Sequence, residues 1–314
     1  MKKIVAMFLI LTLIAGLFAG CGAAKDDGVT RIAIVQQLDH SSLDEIRAAI
    51  EAEFDATNFE VKVFNGQNDA SVLNQIGARV VADGYDVIIP IATLAAQCMA
   101  TAAEGTGIPV IYAAVSDPEG AGLTGLSKVT GTSDALNTAF ILDMMLALQP
   151  DVTCVGLLYS NSEDNSAVPI AEAKAYLEGK GITYLEKTGN TTDEIVTAAT
   201  ALVDRCDAVF TPTDNAVMAA ETAVAEILNA AGIPHYTGAD SFVFAGAFAA
   251  CGVSYTELGT KTAQMAMEVL QSGAVGDFHV MEGGIITVNK ETAAALGLDY
   301  TPFSSMAGTV VETS

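Results

Sequence analysis

The chain has 314 residues, 51% of them hydrophobic, with 28 Gly and no Trp. That length exceeds one typical domain and suits two, with enough apolar residues for sizeable cores, which excludes a disordered chain. The formal net charge of −24 repels phosphates and anionic headgroups, so nucleic acid is excluded as a partner and the charge reads as a solubility surface.

Residues 1–20 open with Lys2 and Lys3, run apolar from Ile4 to Phe18 and end in Ala19 and Gly20, directly before Cys21. A positive end, an apolar core and a small-residue cleavage site make an export signal. The run is short for a membrane span, and the polar GAAKDDG that follows reads as a tether. The alternative is a single transmembrane helix with a chance cysteine. The placement of Cys21 after the small pair resembles the lipobox of bacterial lipoproteins, although Phe18 is bulkier than the usual residue there. The resemblance implies a diacylated Cys21 (palmitate-type chains) as the mature N-terminus. The protein is then exported and lipid-anchored on the outer face of the cytoplasmic membrane, touching the membrane through its lipid. Processing removes Lys2 and Lys3 and no acid, so −24 becomes −26.

From residue 31 onward, strand and helix signals alternate. RIAIVQQ (31–37) is a β-branched run, and LDEIRAAIEAEF (43–54) has apolar residues at helical spacing. FEVKVFNG (59–66) predicts a strand, ASVLNQIGARVVAD (70–83) a helix and DVIIPIA (86–92) a buried strand. LAAQCMATAAEG (94–105) predicts a helix ending at Gly, and IPVIYAAV (108–115) another strand. Short apolar runs alternating with periodic helices indicate βαβ units and parallel sheets. The pattern restarts about 122 residues later. TCVGLLYS (153–160) parallels the first strand, and Cys206-Asp207 parallels Tyr85-Asp86. Gly232-Ile233-Pro234 parallels Gly107-Ile108-Pro109. The shared order predicts an α/β fold of two similar doubly wound parallel-sheet lobes with a hinge and an interlobe ligand cleft.

The expected division is a signal peptide at 1–20, a lipidated tether at 21–29, one lobe at 30–133 plus 256–276, and the other at 134–255 plus 277–314. The first crossing falls near GTSDAL (131–136). Helix 256–273 returns to the first lobe, and the tail with strand IITVN (285–289) returns to the second lobe or the hinge. Cys98, Cys154, Cys206 and Cys251 have no CxxC spacing and sit in apolar stretches, so they read as buried free thiols. His40, His235 and His279 are scattered. No metal site is expected, and no cofactor.

Ligands of doubly wound sheets bind at the carboxyl ends of the strands. The candidates are therefore Gln36, Gln37 and His40 after the first strand; Thr93, Ala95, Ala96 and Gln97; and Ser116 and Asp117. In the second lobe they are Tyr159, Asn165 and Ser166; Thr213, Asp214 and Asn215; and Asp240.

These residues fall in stretches that together resemble the ABC-transporter substrate-binding proteins of the tryptophan/tyrosine type, in the type I periplasmic-binding-protein superfamily. The resemblance spans residues 30–297. It rests on IVQQLDHSSLD (34–44), NGQND (65–69), IATLAAQ (91–97), AVSDPEGAGL (114–123), VTGTSD (129–134), YSNSEDNS (159–166), PTDN (212–215), GAD (238–240) and YTELG (255–259). Ser41 and Leu94 stand where the family often has Pro. The resemblance implies capture of a small molecule, often an aromatic amino acid, and its delivery to a membrane permease driven by a cytoplasmic ATPase.

Thr93 precedes a helix, where backbone N–H groups and its hydroxyl suit a carboxylate, with Ser116 in reach; an ordinary N-cap is the alternative for Thr93 and a turn into the hinge for Asp117. Asp240 and Asp214 suit a ligand ammonium, against a hinge hydrogen bond and an N-cap respectively. Asn165 and Ser166 sit before a helix expected to start near Ala167, as donors or caps. His40 either meets an aromatic ligand or caps a helix, and Tyr159 either walls the site or packs in the core. No GxSxG and no P-loop pattern is present, so the chain reads as a binder. A two-lobed amino-acid racemase would need a reactive cysteine at the cleft in each lobe. A sensory lipoprotein that presents its ligand to a receptor shares every feature of the transport reading.

Replacing Cys21 by Ser is expected to release the protein from membranes or leave it unprocessed, because several acyl chains hold a bilayer firmly where one does so only marginally. Membrane fractionation with acyl labelling reads this, and a lipidated, membrane-bound Cys21→Ser protein would contradict the lipobox.

Overall fold

The computed structural model describes residues 28–314. The signal at 1–20 and Cys21 lie outside the described residues. The chain begins with β1 (Thr30–Gln36), α1 (Ser41–Ala52), β2 (Phe59–Asn65), α2 (Ala70–Asp83), β3 (Val87–Ile91), α3 (Thr93–Ala103), β4 (Val110–Tyr112) and β5 (Val129–Ser133). It continues with α4 (Thr138–Leu148), β6 (Cys154–Tyr159), α5 (Asp164–Lys180), β7 (Thr183–Thr188), α6 (Thr192–Thr200), β8 (Ala208–Thr211), α7 (Asn215–Ala230), β9 (His235–Thr237), α8 (Asp240–Phe244) and β10 (Ala249–Gly252). The remainder is α9 (Tyr255–Ser272), β11 (His279–Val280), β12 (Ile285–Asn289), α10 (Lys290–Leu296), a 3₁₀ turn (Thr301–Ser305) and β13 (Thr309–Thr313). None of these helices is long and apolar enough to cross a membrane.

Local chemistry sets these elements. In α2 the buried residues Leu73, Gly77 and Val80 recur at helical spacing. The Asp69 carboxylate accepts from the Ser71 and Val72 amides at the start, and Gly84 ends the helix at φ 71°. Every residue of β3 is buried, as a strand covered on both faces requires.

Two sheets result, one per lobe. The first has the order β11-β5-β4-β3-β1-β2, the second β13-β12-β10-β9-β8-β6-β7. The shared core order, 2-1-3-4-5 and 7-6-8-9-10, is the repeat read in the sequence. The second sheet is not wholly parallel, because β12 runs antiparallel to β10. Helix α9 packs on α1 of the first lobe, and β12 joins the second sheet.

Several boundaries move. The strand expected over 108–115 pairs regularly only over β4. Its neighbour β3 carries Pro90 between Ile88, whose amide donates to Pro109 O, and Ala92, whose amide donates to Ala113 O. Pro90 has no N–H for that edge, so the ladder breaks there. Helix α5 starts at Asp164 rather than near Ala167, because Glu163 holds the N-cap position and its carbonyl already accepts from the Ser166 amide (3.1 Å). Asn165 and Ser166 therefore lie in its first turn. The last crossing falls after Val280 rather than at 277, since β11 pairs with β5 in the first sheet.

Two helical glycines test this packing. A Cβ on Gly259 of α9 would lie 2.6 Å from Ile46 O and 2.7 Å from Ala49 Cβ of α1, while one on Gly179 of α5 meets nothing within 4 Å. Gly259→Ala is expected to destabilise the fold by about 1–3 kcal/mol through overpacking. Gly179→Ala is expected to stabilise it by about 0.5–1 kcal/mol. Thermal melts of the two variants should move in opposite directions.

Candidate functional site

In each sheet the strand order reverses at one point, between β1 and β3 in the first and between β6 and β8 in the second. Loops diverge at such points and leave a crevice at the carboxyl ends of the strands. The two crevices face one another. His40, Ser42 and Leu43 follow β1, Ala92 and Thr93 follow β3, and Ala114 and Ser116 follow β4. From the second lobe come Asn165, Thr213, Asp214, Asn215, Met218 and Phe242, and Asp134 and Tyr255 come from the crossings. Together they line one cavity between the lobes.

Two polar atoms in this lining are buried and have no partner, His40 Nδ1 and Thr93 Oγ1. His40 occupies the N-cap position of α1 but makes no capping bond; its Nε2 lies 3.0 Å from Asn215 Oδ1. Asn215 Nδ2 donates to Glu163 Oε2 at 2.6 Å, so Asn215 Oδ1 is an acceptor and His40 Nε2 carries the proton. Burial lowers the His40 pKa, which favours the neutral ring and leaves Nδ1 as a bare acceptor. Thr93 is the first residue of α3, and the cap position before it is held by Ala92 at φ 77°, ψ 164°. Ala114 has φ 54°. Two non-glycine residues in left-handed backbone at consecutive strand ends are strained, and such strain clusters where a site needs a fixed backbone. Buried polar atoms without partners in a cavity call for ligand atoms.

Among the described residues, three acids are buried at or beside the cavity and no Lys or Arg lines it. Asp214 accepts from Ser160 N (2.7 Å), Ser166 Oγ (2.7 Å) and Val217 N (2.9 Å). It is the N-cap of α7, and its carboxylate oxygens are satisfied within the lobe. Asp134 accepts from Ser116 Oγ (2.8 Å) and Tyr255 Oη (3.3 Å) and from its own backbone amide, and burial raises its pKa. Glu163 is pushed up to about 8, first by burial and then by Asp214, while amide donors work in the opposite direction.

Hydrogen bonds cross the cleft around the cavity. Gln37 Nε2 donates to Glu163 Oε1 at 2.9 Å, and Gln97 Nε2 to Asp164 Oδ2 at 3.0 Å. Ser116 Oγ lies 3.3 Å from Thr213 Oγ1, and the Ser42 and Ser241 hydroxyls are in contact.

Of the residues expected from the sequence, His40, Thr93, Ser116, Asn165, Thr213, Asp214 and Asn215 meet in the cavity. Gln37 and Gln97 bridge the lobes beside it. The others do not reach it. Gln36 donates to Leu38 O, Asp39 and Asp44 and accepts from Arg47, which holds the loop after β1. Ala95 and Ala96 are buried in the core behind α3. Asp117 caps its own turn through Gly120 N. Tyr159 turns its hydroxyl to Glu186, 2.7 Å away, and Ser166 is spent on Asp214. Asp240 begins α8 and is only partly buried; burial and neighbouring Glu45 push its pKa up to about 6. The central acid is Asp134 instead. Its GTSD stretch was legible as a crossing, but a crossing residue gives no sign of facing a cavity until the lobes are placed. Leu43, Met218 and Phe242, the apolar lining, share helical spacing with ordinary core residues and carry no separate signal.

The second lobe also holds a Thr211–His235–Glu221 array, with His235 Nε2 2.8 Å from Thr211 Oγ1 and Nδ1 2.9 Å from Glu221 Oε1. It resembles a nucleophile–base–acid set. All three residues are buried, and the Thr211 hydroxyl donates to Leu158 O, so no substrate reaches it and the array is structural.

The ABC transporter substrate binding protein family matches residues 31–306. The tyrosine-binding protein of Clostridioides difficile (strain R20291) is 31% identical over 322 residues, covering 95% of this chain and 93% of that one. An ABC domain from Streptococcus pneumonia, solved in complex with L-Trp, is 31% identical with a TM-score of 0.84 and covers 90% of this chain and 100% of its own. The ligand-free, open structure of a Clostridium difficile substrate-binding protein with adhesive properties is 30% identical with a TM-score of 0.67, covering 91% of this chain and 100% of its own.

Glu163 gives the site a pH signature. A carboxyl with a raised folded-state pKa binds more protons folded than unfolded, so stability falls as pH rises from about 4.5 and levels off above about 8. Glu163→Gln is expected to flatten the fall in melting temperature between those pH values, and an unchanged slope would show that Glu163 titrates normally.

Proposed function

This chain belongs to the ABC transporter substrate-binding protein family, and we propose that it captures a large apolar amino acid, aromatic first and branched aliphatic second, between its lobes for an ABC importer. The observation that carries this reading is the cavity itself. It offers an unpartnered hydroxyl at a helix start (Thr93), a buried carboxylate without a cation (Asp134) and an apolar flank of Leu43, Met218 and Phe242. An α-amino acid supplies the matching groups. Its carboxylate goes to the Thr93 hydroxyl at the start of α3. Its ammonium goes to Asp134, with Ser116 and Thr213 beside it. His40 Nδ1 accepts from a ligand donor, which an indole N–H or a phenol O–H provides. The tyrosine-binding relative and the L-Trp complex support this ligand class.

The ligand closes the lobes, because each lobe supplies half of its contacts and a ligand shifts such an equilibrium by its differential affinity. The TM-scores, 0.84 to the L-Trp complex against 0.67 to the ligand-free open structure, support reading this frame as the closed one. The closed protein then docks on a membrane permease coupled to its ATPase, with Cys21 and its acyl chains holding it to the outer face of the membrane. As a member of a binding-protein family it is not an enzyme.

Calorimetry against L-Trp, L-Tyr, L-Phe and L-Leu is expected to find at least one tight ligand, with small-angle scattering showing compaction on its addition. Asp134→Asn should weaken that ligand by about 2–5 kcal/mol, the usual cost of removing one partner of a buried charge pair. Tight binding of a sugar or nucleoside with no amino acid bound would overturn the reading.

A further inference from the structure

Far from the cleft, at the amino ends of β6 and β8, two thiols face each other. Cys154 Sγ–H donates to Cys206 Sγ at 3.6 Å. They are 52 residues apart in sequence and are held there by backbone. Strand β6 pairs in parallel with β8 from Val155 and Ala208 onward. One residue before that pairing, Asp207 N donates to Cys154 O (2.9 Å), and Cys154 N donates to Asp207 Oδ2 (3.0 Å). The two sulfurs are therefore adjacent by construction of the sheet. Forming a bond of about 2.05 Å requires them to close by about 1.5 Å, within reach of side-chain rotation. Among the described residues, Cys98 and Cys251 are buried and are not hydrogen-bonded to another thiol. Cys154 is half-buried and Cys206 buried, so an external reagent reaches Cys154 first.

We infer that Cys154 and Cys206 form a thiol–disulfide exchange site that closes to an intramolecular disulfide when it meets an external disulfide oxidant. The Cys154 thiolate attacks the external disulfide and releases one thiol. The Cys206 thiolate then attacks Cys154 Sγ in the mixed disulfide and expels the second. The protein loses two protons and two electrons, and the external disulfide becomes two thiols. An exported chain works where such oxidants persist. The bond would tie the start of β6 to the turn before β8. The cavity lies at the other ends of these strands, roughly 20 Å away at about 3.3 Å per residue, so closure stabilises the lobe without touching the ligand.

The test uses a soluble form lacking residues 1–20 and carrying Cys21→Ser, purified reduced and then exposed to oxidised glutathione. After denaturation without reductant, two of its four remaining thiols should resist alkylation, peptide mapping should join Cys154 to Cys206, and the melting temperature of the oxidised protein should be higher by on the order of 5 °C. In Cys206→Ser, glutathione should instead remain attached to Cys154, because no resolving thiol is present. Four alkylatable thiols after oxidation of the folded protein, or a lasting glutathione adduct on Cys154 with Cys206 intact, would overturn the inference.

Discussion

Gln37 follows β1 of one lobe and Glu163 precedes helix α5 of the other, and the hydrogen bond between them belongs to a circuit that crosses the cleft twice. The Gln37 carbonyl accepts from Leu94 N at the start of α3 (3.1 Å), and its amide donates to Asn68 and to Glu163. Asn215 donates to the other Glu163 oxygen and is bonded in turn to His40. The circuit thus returns to the first lobe three residues from where it left. Each neutral bond contributes only about 1 kcal/mol net, and burying Glu163 offsets part of that. The circuit contributes geometry more than energy. It fixes the tautomer of His40, the position of α3 and the register of the two lobes together.

A second constraint is the absence of cations in the cavity lining. Asp214 and Asp134 are both buried there, yet they differ in what surrounds them. Asp214 is met by backbone amides and a serine, as a cap should be, and has little left to offer. Asp134 has two hydroxyl donors and spare acceptor capacity. The count of donors, rather than burial or sequence position, separates the acid that is already satisfied from the one with capacity to spare.

This distinction marks how far the sequence was readable. The alternation of strands and helices, the repeat and the strand-end placement of His40, Thr93, Ser116 and Asp214 all follow from periodicity and turn chemistry, and the folded chain keeps them. What did not follow depends on distance across the cleft. Along the chain Asp240 and Asp214 read as the acids of the site, and Asp134 carried no sign beyond lying at a crossing. Folding leaves Asp240 at the start of α8, near Glu45 and outside the cavity. Tyr159 ends a strand beside the crevice, but the pleat turns its ring toward β7 and Glu186. A strand-end residue has two faces available, and periodicity near a loop is too short to choose between them.

The chain passes between the lobes after β5, after β10 and after β11, so neither lobe is a continuous segment. This bears on how the protein is made. Domains that are contiguous can fold in the order in which the ribosome releases them. Here the first sheet lacks its edge strand β11, and α1 lacks its partner α9, until residue 280 has been synthesised, when most of the second lobe already exists. The earlier lobe to emerge is therefore not the earlier lobe to finish. A truncated chain ending before Tyr255 would expose the apolar face of α1 that α9 normally covers, so an incomplete copy differs from a finished one in its surface as well as its length.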